Sequence, residues 1–216
     1  MAVSFQGSTA YLAASGALPS HQRGDCLIAA AIRTNNAPAS LPSGWIGLSV
    51  AGTLGLSMRL GFRIAQSGSE TSGVWTGATG FSCIVLRPTS GTIAIPTTAQ
   101  TAATSTSVAY GALGGVLAVD NYIDQSFVMF GATLLDTNAI ETPPTGTTFI
   151  DKQSQTGLAF ASFRLTTNAF GSWTTQTVTL PSAVWRTGVV RIAEYPFPPF
   201  GGGGGTFNPL NHPLIR

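Results

Sequence analysis

Apolar and polar positions alternate most cleanly in "SMRLGFRIA" at 57–65, where Met58, Leu60, Phe62 and Ile64 are interleaved with Ser57, Arg59, Gly61 and Arg63. A period of two puts the two sets on opposite faces of an extended chain and predicts a half-buried β-strand. The same period returns in "LAFASFRL", with Ala159, Ala161, Phe163 and Leu165 on one face and Ser162 and Arg164 on the other. Short apolar runs predict further strands at 25–33, 44–50, 81–87, 115–119 and 126–135, and "CLIAAAI" at 26–32 reads as a buried one. Residues 172–180 and 184–195 are rich in β-branched and aromatic side chains and are separated by a proline turn. The Thr- and Ser-rich stretch 96–110 reads as a loop joining two halves or, the preferred reading, as an edge strand with its hydroxyls toward solvent. With weaker pieces the total is roughly ten to thirteen short strands.

No stretch keeps a 3.6-residue apolar period long enough for a useful helix. Between the strands, "NNAPASLPSG", "QSGSETSG" and "TPPTG" stop extended chain through the fixed φ of proline and the freedom of glycine. Many short strands joined by turns predict an all-β chain: a single antiparallel β-sandwich, jelly-roll-like, over residues 1–195. A Pro/Gly-rich linker at 196–205 and a C-terminal arm at 206–216 follow it. No internal repeat points to a solenoid or propeller.

Composition changes this picture in one respect. Hydrophobic residues make up 44% of the 216, enough for a core, but charged residues make up only 8%, against about 25% in an ordinary soluble domain. The surface must instead be covered by the 28 Thr and 20 Ser. A net charge of +2, spread over nine Arg and Lys152, is too small for a nucleic-acid footprint. So little repulsive charge favours association with specified neighbours. No run approaches the about 20 apolar residues that span a bilayer, so no membrane insertion is expected. The start "MAVSFQGSTAYLAASG" lacks the basic and continuous apolar regions of a secretory signal, which predicts synthesis in the cytoplasm. Cys26 and Cys83 lie in apolar runs and read as small buried hydrophobes; whether they pair depends on whether their strands are neighbours.

Candidate chemistry is thin. The chain offers His21, His212 and eight carboxylates, without a nucleophile elbow, a zinc-binding helix motif, a phosphate loop or an EF-hand calcium loop. Ser20 and His21 are adjacent but read as a surface turn, because a nucleophile and its base must meet through space. Asp120 and Asp124 would need a third ligand to hold a metal, and Asp136, Glu141 and Asp151 fall near turns that a carboxylate caps. No catalytic residue, metal site or cofactor is therefore assigned. Trp45 and Trp75 are the candidate platforms for a glycan, with core packing the favoured role for each indole.

After Tyr195, "PFPPFGGGGG" removes ladder donors and imposes no conformation, so the domain ends there. Five flexible glycines span on the order of 12 Å. The following "TFNPLNHPLIR" carries large apolar side chains that favour burial, and Phe207, Pro209, Leu210, His212, Leu214 and Ile215 are the predicted partner-binding residues of a docking arm.

From residue 24 to 88 the chain reads "GDCLIAAAI", then "LPSGWIGL", then "RLGFRIAQSGSETSGVWTGATGFSCIVLRP". This order resembles a β-sandwich module common in bacteriophage and prophage virion proteins attached to tails, fibres or capsid surfaces. The module's Gly-Asp pair falls on Gly24 and Asp25, and its P-x-G-W turn on Pro42, Gly44 and Trp45. Its Arg-Ile-Ala strand, Gly-Ser-Glu loop and Trp-Thr strand fall on Arg63, Ile64 and Ala65, on Glu70, and on Trp75 and Thr76. The match covers about a third of the chain. The resemblance implies a non-enzymatic virion structural protein, made in the host bacterial cytoplasm and assembled in multiple copies as a capsid decoration or as part of the tail or fibre. Its partners would be other virion proteins and copies of itself. It implies scaffold roles too: Asp25 in a turn, Trp45 and Trp75 packing across sheets, Arg63 near a strand end. The rival reading is an adhesion module that binds a host-surface glycan.

Overall fold

The computed structural model describes residues 3–89, 91–94, 96–114, 124–136, 140, 142–165 and 173–196. The chain is all-β, and its described residues form two antiparallel sheets. Strands β1 (Val3–Tyr11), β2 (Cys26–Arg33), β3 (Ile46–Thr53), β4 (Leu56–Ile64) and β5 (Gly80–Pro88) make the first, in the order β1-β5-β2-β4-β3. The second holds β6 (Gly91–Ile93), β7 (Thr97–Tyr110), β8 (Asp124–Thr133), β9 (Thr147–Gln155), β10 (Leu158–Leu165) and β11 (Gln176–Pro196). Its path is β6-β11-β8-β10-β9, with β7 also on β11. β6 and β7 lie end to end along one edge of β11, pairing with residues 194–196 and 176–191 respectively. Pro96, with no N–H to give a ladder, falls in the gap between them.

Each half of the chain thus builds one sheet. A jelly roll passes the chain back and forth between its two sheets, so the jelly-roll-like connectivity expected from the sequence differs from the strand order found. Tight hairpins keep successive strands in one sheet: Leu54-Gly55 between β3 and β4, and the turn at Gly157 between β9 and β10.

The inward faces share a core, with Ile28, Met58, Leu60 and Ile84 from the first sheet meeting Val128, Phe130, Phe160 and Val190 from the second. β2 is buried from Cys26 to Ile32 because both of its faces are covered. Cys26, Ile28, Ala30 and Ile32 face the second sheet, while Leu27, Ala29 and Ala31 face a layer of loops. The same layer, from residues 12–25, 34–45 and 65–79, explains why β4 is not half-buried as its alternation predicts. Trp75 lies over its outer face so closely that a Cβ at Gly61 would come within 2.9 Å of the indole. A further cluster forms on the outer side of the second sheet around Tyr110, Phe127, Met129, Phe163, Trp173 and Trp185.

The strands expected at 172–180 and 184–195 are one strand, β11, and Pro181 does not turn the chain. Pairing with β7 slips between Thr179 and Ala183, and this bulge absorbs a residue that has no donor. Cys26 and Cys83 are free, buried and on opposite faces of the first sheet, so the thiols do not meet. Burial pushes both thiols well above their usual range. The strand expected at 115–119, Asp120, Glu141, the linker beyond Pro196 and the arm residues Phe207, Pro209, Leu210, His212, Leu214 and Ile215 lie outside the described residues. Among the described residues no helix is long and apolar enough to cross a membrane.

Candidate functional site

The Gly-Asp, Pro-x-Gly-Trp, Arg-Ile-Ala, Glu and Trp-Thr residues singled out between 24 and 76 converge on the loop layer over β2, β4 and β5. Gly24 takes a φ of 93°, open to glycine and costly to other residues, and its N–H bonds Ala65 O at 2.8 Å. This turn places Asp25 at the head of β2, where only 1% of it is exposed. Its Oδ2 accepts the Gln22 N–H at 2.9 Å. Arg87, near the end of β5, grips both carboxylate oxygens, with Nε donating to Oδ1 and Nη2 to Oδ2, each at 2.7 Å. That bidentate bond is the main reason the Arg87 guanidinium holds its proton more tightly than usual.

A second cluster ties the other two ends together. Arg63 Nε lies 2.7 Å from Glu70 Oε2 as a charge contact, and Glu70 Oε1 accepts the Gln66 N–H at 2.6 Å. The backbone N–H of Glu70 donates to His21 Nε2 at 3.3 Å, and His21 Nδ1 reaches Pro19 O at 2.7 Å. Both ring nitrogens of His21 are therefore engaged with the loops and not with Ser20. Arg63 also passes over Gly44, whose φ of 82° starts the turn into Trp45.

Trp45 and Trp75 meet edge to face, with ring centroids 5.2 Å apart at 65°, and Trp75 packs on Phe81 at 5.9 Å. They are 6% and 0% exposed. This corrects their candidacy as a glycan platform: a sugar needs an open aromatic face, and these faces are spent on each other and on the sheet. Beside them Ser15, Gly16, Thr71, Ser72, Gly73 and Val74 line a shallow, open depression of about 290 Å³. Ser72 Oγ there already accepts the Gly16 N–H and donates to Gly73 O, so it is committed to the loops.

The remaining candidate acids are dispersed. Asp151 accepts from Ser8 Oγ at 3.3 Å and from the Lys152 N–H at 2.8 Å. Asp136 is exposed after β8, and Asp124 opens that strand. Among the described residues no three His, Cys, Asp or Glu side chains come together as a metal site.

A feature that sequence reading met only in part, through the edge strand expected at 96–110 and found as β7, lies at the opposite flank from β1 and β9. β3 is the edge of the first sheet, β7 the edge of the second, and the two stack. Gln100 Nε2 joins them by donating to Ser49 Oγ at 2.8 Å. Neither "IGLSVAGT" nor "TTAQTAATSTSVAY" contains a charged residue, whereas β9 at the other flank carries Asp151 and Lys152. Ile46 is 47% exposed, Val50 50%, and Leu54 at the hairpin tip 51%. Leu54 sits at a φ of 59°, where a branched side chain is strained, and Gly55 at 82°. The turn is clamped by Asn36 Oδ1, which accepts the Gly55 N–H at 2.7 Å. Beneath it Arg186, 3% exposed, donates to Leu56 O at 3.1 Å and Thr53 Oγ1 at 2.6 Å, and burial lowers its pKa. The signal available in the sequence was the want of charge in these two strands.

Compared with known proteins, the chain matches no family model, no curated protein and no solved structure.

Proposed function

We propose that this chain is a non-enzymatic structural subunit of a phage-like virion. It is present in multiple copies as a capsid decoration or in the tail or fibre apparatus, and residues 206–216 anchor it to its neighbours. In this reading the two facing sheets form a β-sandwich that serves as a rigid body, and the Asp25, Arg63, Glu70, Trp45 and Trp75 contacts hold its loops in place. The observation that carries the proposal is the charge-free flank of β3 and β7. Exposed edge strands are ordinarily blunted with charges, prolines or covering loops, because free N–H and C=O groups recruit other chains. A surface poor in charge with long uncharged edges is suited to a subunit with specified neighbours.

The test is incorporation. Phage-like particles purified from the source culture are imaged with an antibody against this chain, alongside particles made with a chain ending at Pro199. Regular labelling of a capsid or tail with the full chain, lost with the shortened one, is expected. Particles without label, or normal incorporation of the shortened chain, would overturn the proposal.

A further inference from the structure

We infer that the uncharged edge of β3 takes residues 206–216 of a second copy of this chain as an added strand. The inference rests on the reading of that segment as an assembly arm, and it names the arm's seat. Among the described residues β3 pairs with β4 alone, so one row of its backbone groups faces outward; a register shift between Gly47 and Ser49 interrupts the row and leaves Ser49–Thr53 as its regular stretch. No charge opposes an incoming strand, and Ile46 and Val50 offer apolar surface along it. β7 presents Thr, Ser and Ala and no large apolar side chain over most of its length, and the other uncharged edge, β1, has no exposed residue and is bonded by Asp151 and Gln153 of β9, which makes β3 the better seat.

The arm has the complementary pattern. In an extended chain, successive N–H groups point alternately to the two sides, so residues of one parity serve one neighbour. In "TFNPLNHPLIR" both prolines, Pro209 and Pro213, have the same parity. A strand formed there lacks donors on one side only and keeps those of Asn208, Leu210, His212 and Leu214 on the other. That is the requirement for a terminal edge strand: donors toward the sheet, prolines toward solvent, and no further strand able to add outside.

The direction of the chain favours a neighbour. Gln100 pairs with Gly188 of β11 and bonds Ser49, while Arg186 bonds Thr53. β3 therefore runs antiparallel to β11 across the flank, and the chain leaves Pro196 heading away from it. An arm folding back on its own molecule would reverse and lie parallel to β3, the weaker pairing. The arm of a second copy can lie antiparallel.

The full-length chain and single variants of it are compared by sedimentation velocity, with circular dichroism to verify folding. His212→Pro, which removes a donor facing β3, should weaken self-association about tenfold. Asn211→Pro, at the parity of the existing prolines, should stay within about twofold of the parent. Val50→Lys places a charge on the receiving edge and should also dissociate the assembly; if it unfolds the chain, Ile46→Lys replaces it. Mixing His212→Pro, with its edge intact, and Val50→Lys, with its arm intact, should restore a mixed dimer. Equal weakening by the two proline variants, or normal association of the folded lysine variant, would overturn the β3 seat. If deleting residues 206–216 also left association intact, the arm reading would fall as well. A parent chain that stayed monomeric throughout would overturn both.

Discussion

At the scale of single residues, the scaffold is held by a few polar groups whose partners lie far away in sequence. Asp25→Asn would weaken the two-pronged Arg87 bond, and a loss of about 2 kcal/mol is expected by urea denaturation. The guanidinium is about a third exposed, which tempers the cost. An unchanged midpoint would mean that the pair is ornamental. Leu54 has the opposite sign: Asn tolerates a left-handed φ at the first central position of a tight hairpin, so Leu54→Asn should stabilise by about 1 kcal/mol, with an unchanged denaturant slope. A decrease would show that the side chain contributes more than its strain costs. The resemblance marked Asp25, Trp45 and Trp75 as scaffold, but it placed the two indoles across the sheets, whereas they pack in the loop layer on the outer face of the first sheet. Arg87 as the partner of Asp25 was not legible, since 62 positions separate them and only the sheet brings them together.

At the scale of elements, strands with strong contrast were legible, and of those with weak contrast the Thr- and Ser-rich β7 was read as an edge strand while β1 and β9 were not seen. β2, β4, β5, β8 and β10 form where apolar runs or alternation put them, although β4 and β10 are covered on both faces and not half-buried as their alternation predicts. β1 is interrupted by a register shift between Phe5 and Gly7, and β9 is polar because most of its residues stay at least partly exposed, so neither announces itself. The burial of β4 on both faces was hidden for another reason. Its cover is supplied by loops, whose apolar residues are too sparse to show a period. Trp75 is the centre of that cover, and Trp75→Ala should cost about 3–5 kcal/mol. Hydrogen exchange should rise in 12–25, 34–45 and 65–79, while β8, β10 and β11 keep their protection. Unchanged stability and exchange would contradict the assignment of the indole to the loop core.

At the scale of the whole molecule, the same shortage of charge seen in composition becomes a place. One flank, formed by β3 and β7, is uncharged from end to end, and the other is marked by Asp151 and Lys152. Composition could announce a surface suited to association, but it could not say where, because edge positions depend on strand order. The central claim is that the chain works as an assembled subunit, and the most direct test is the mass of the full-length chain across a micromolar concentration series. The account predicts species of at least twice 22.2 kDa that dissociate on dilution. A single 22.2 kDa species at every concentration would contradict it.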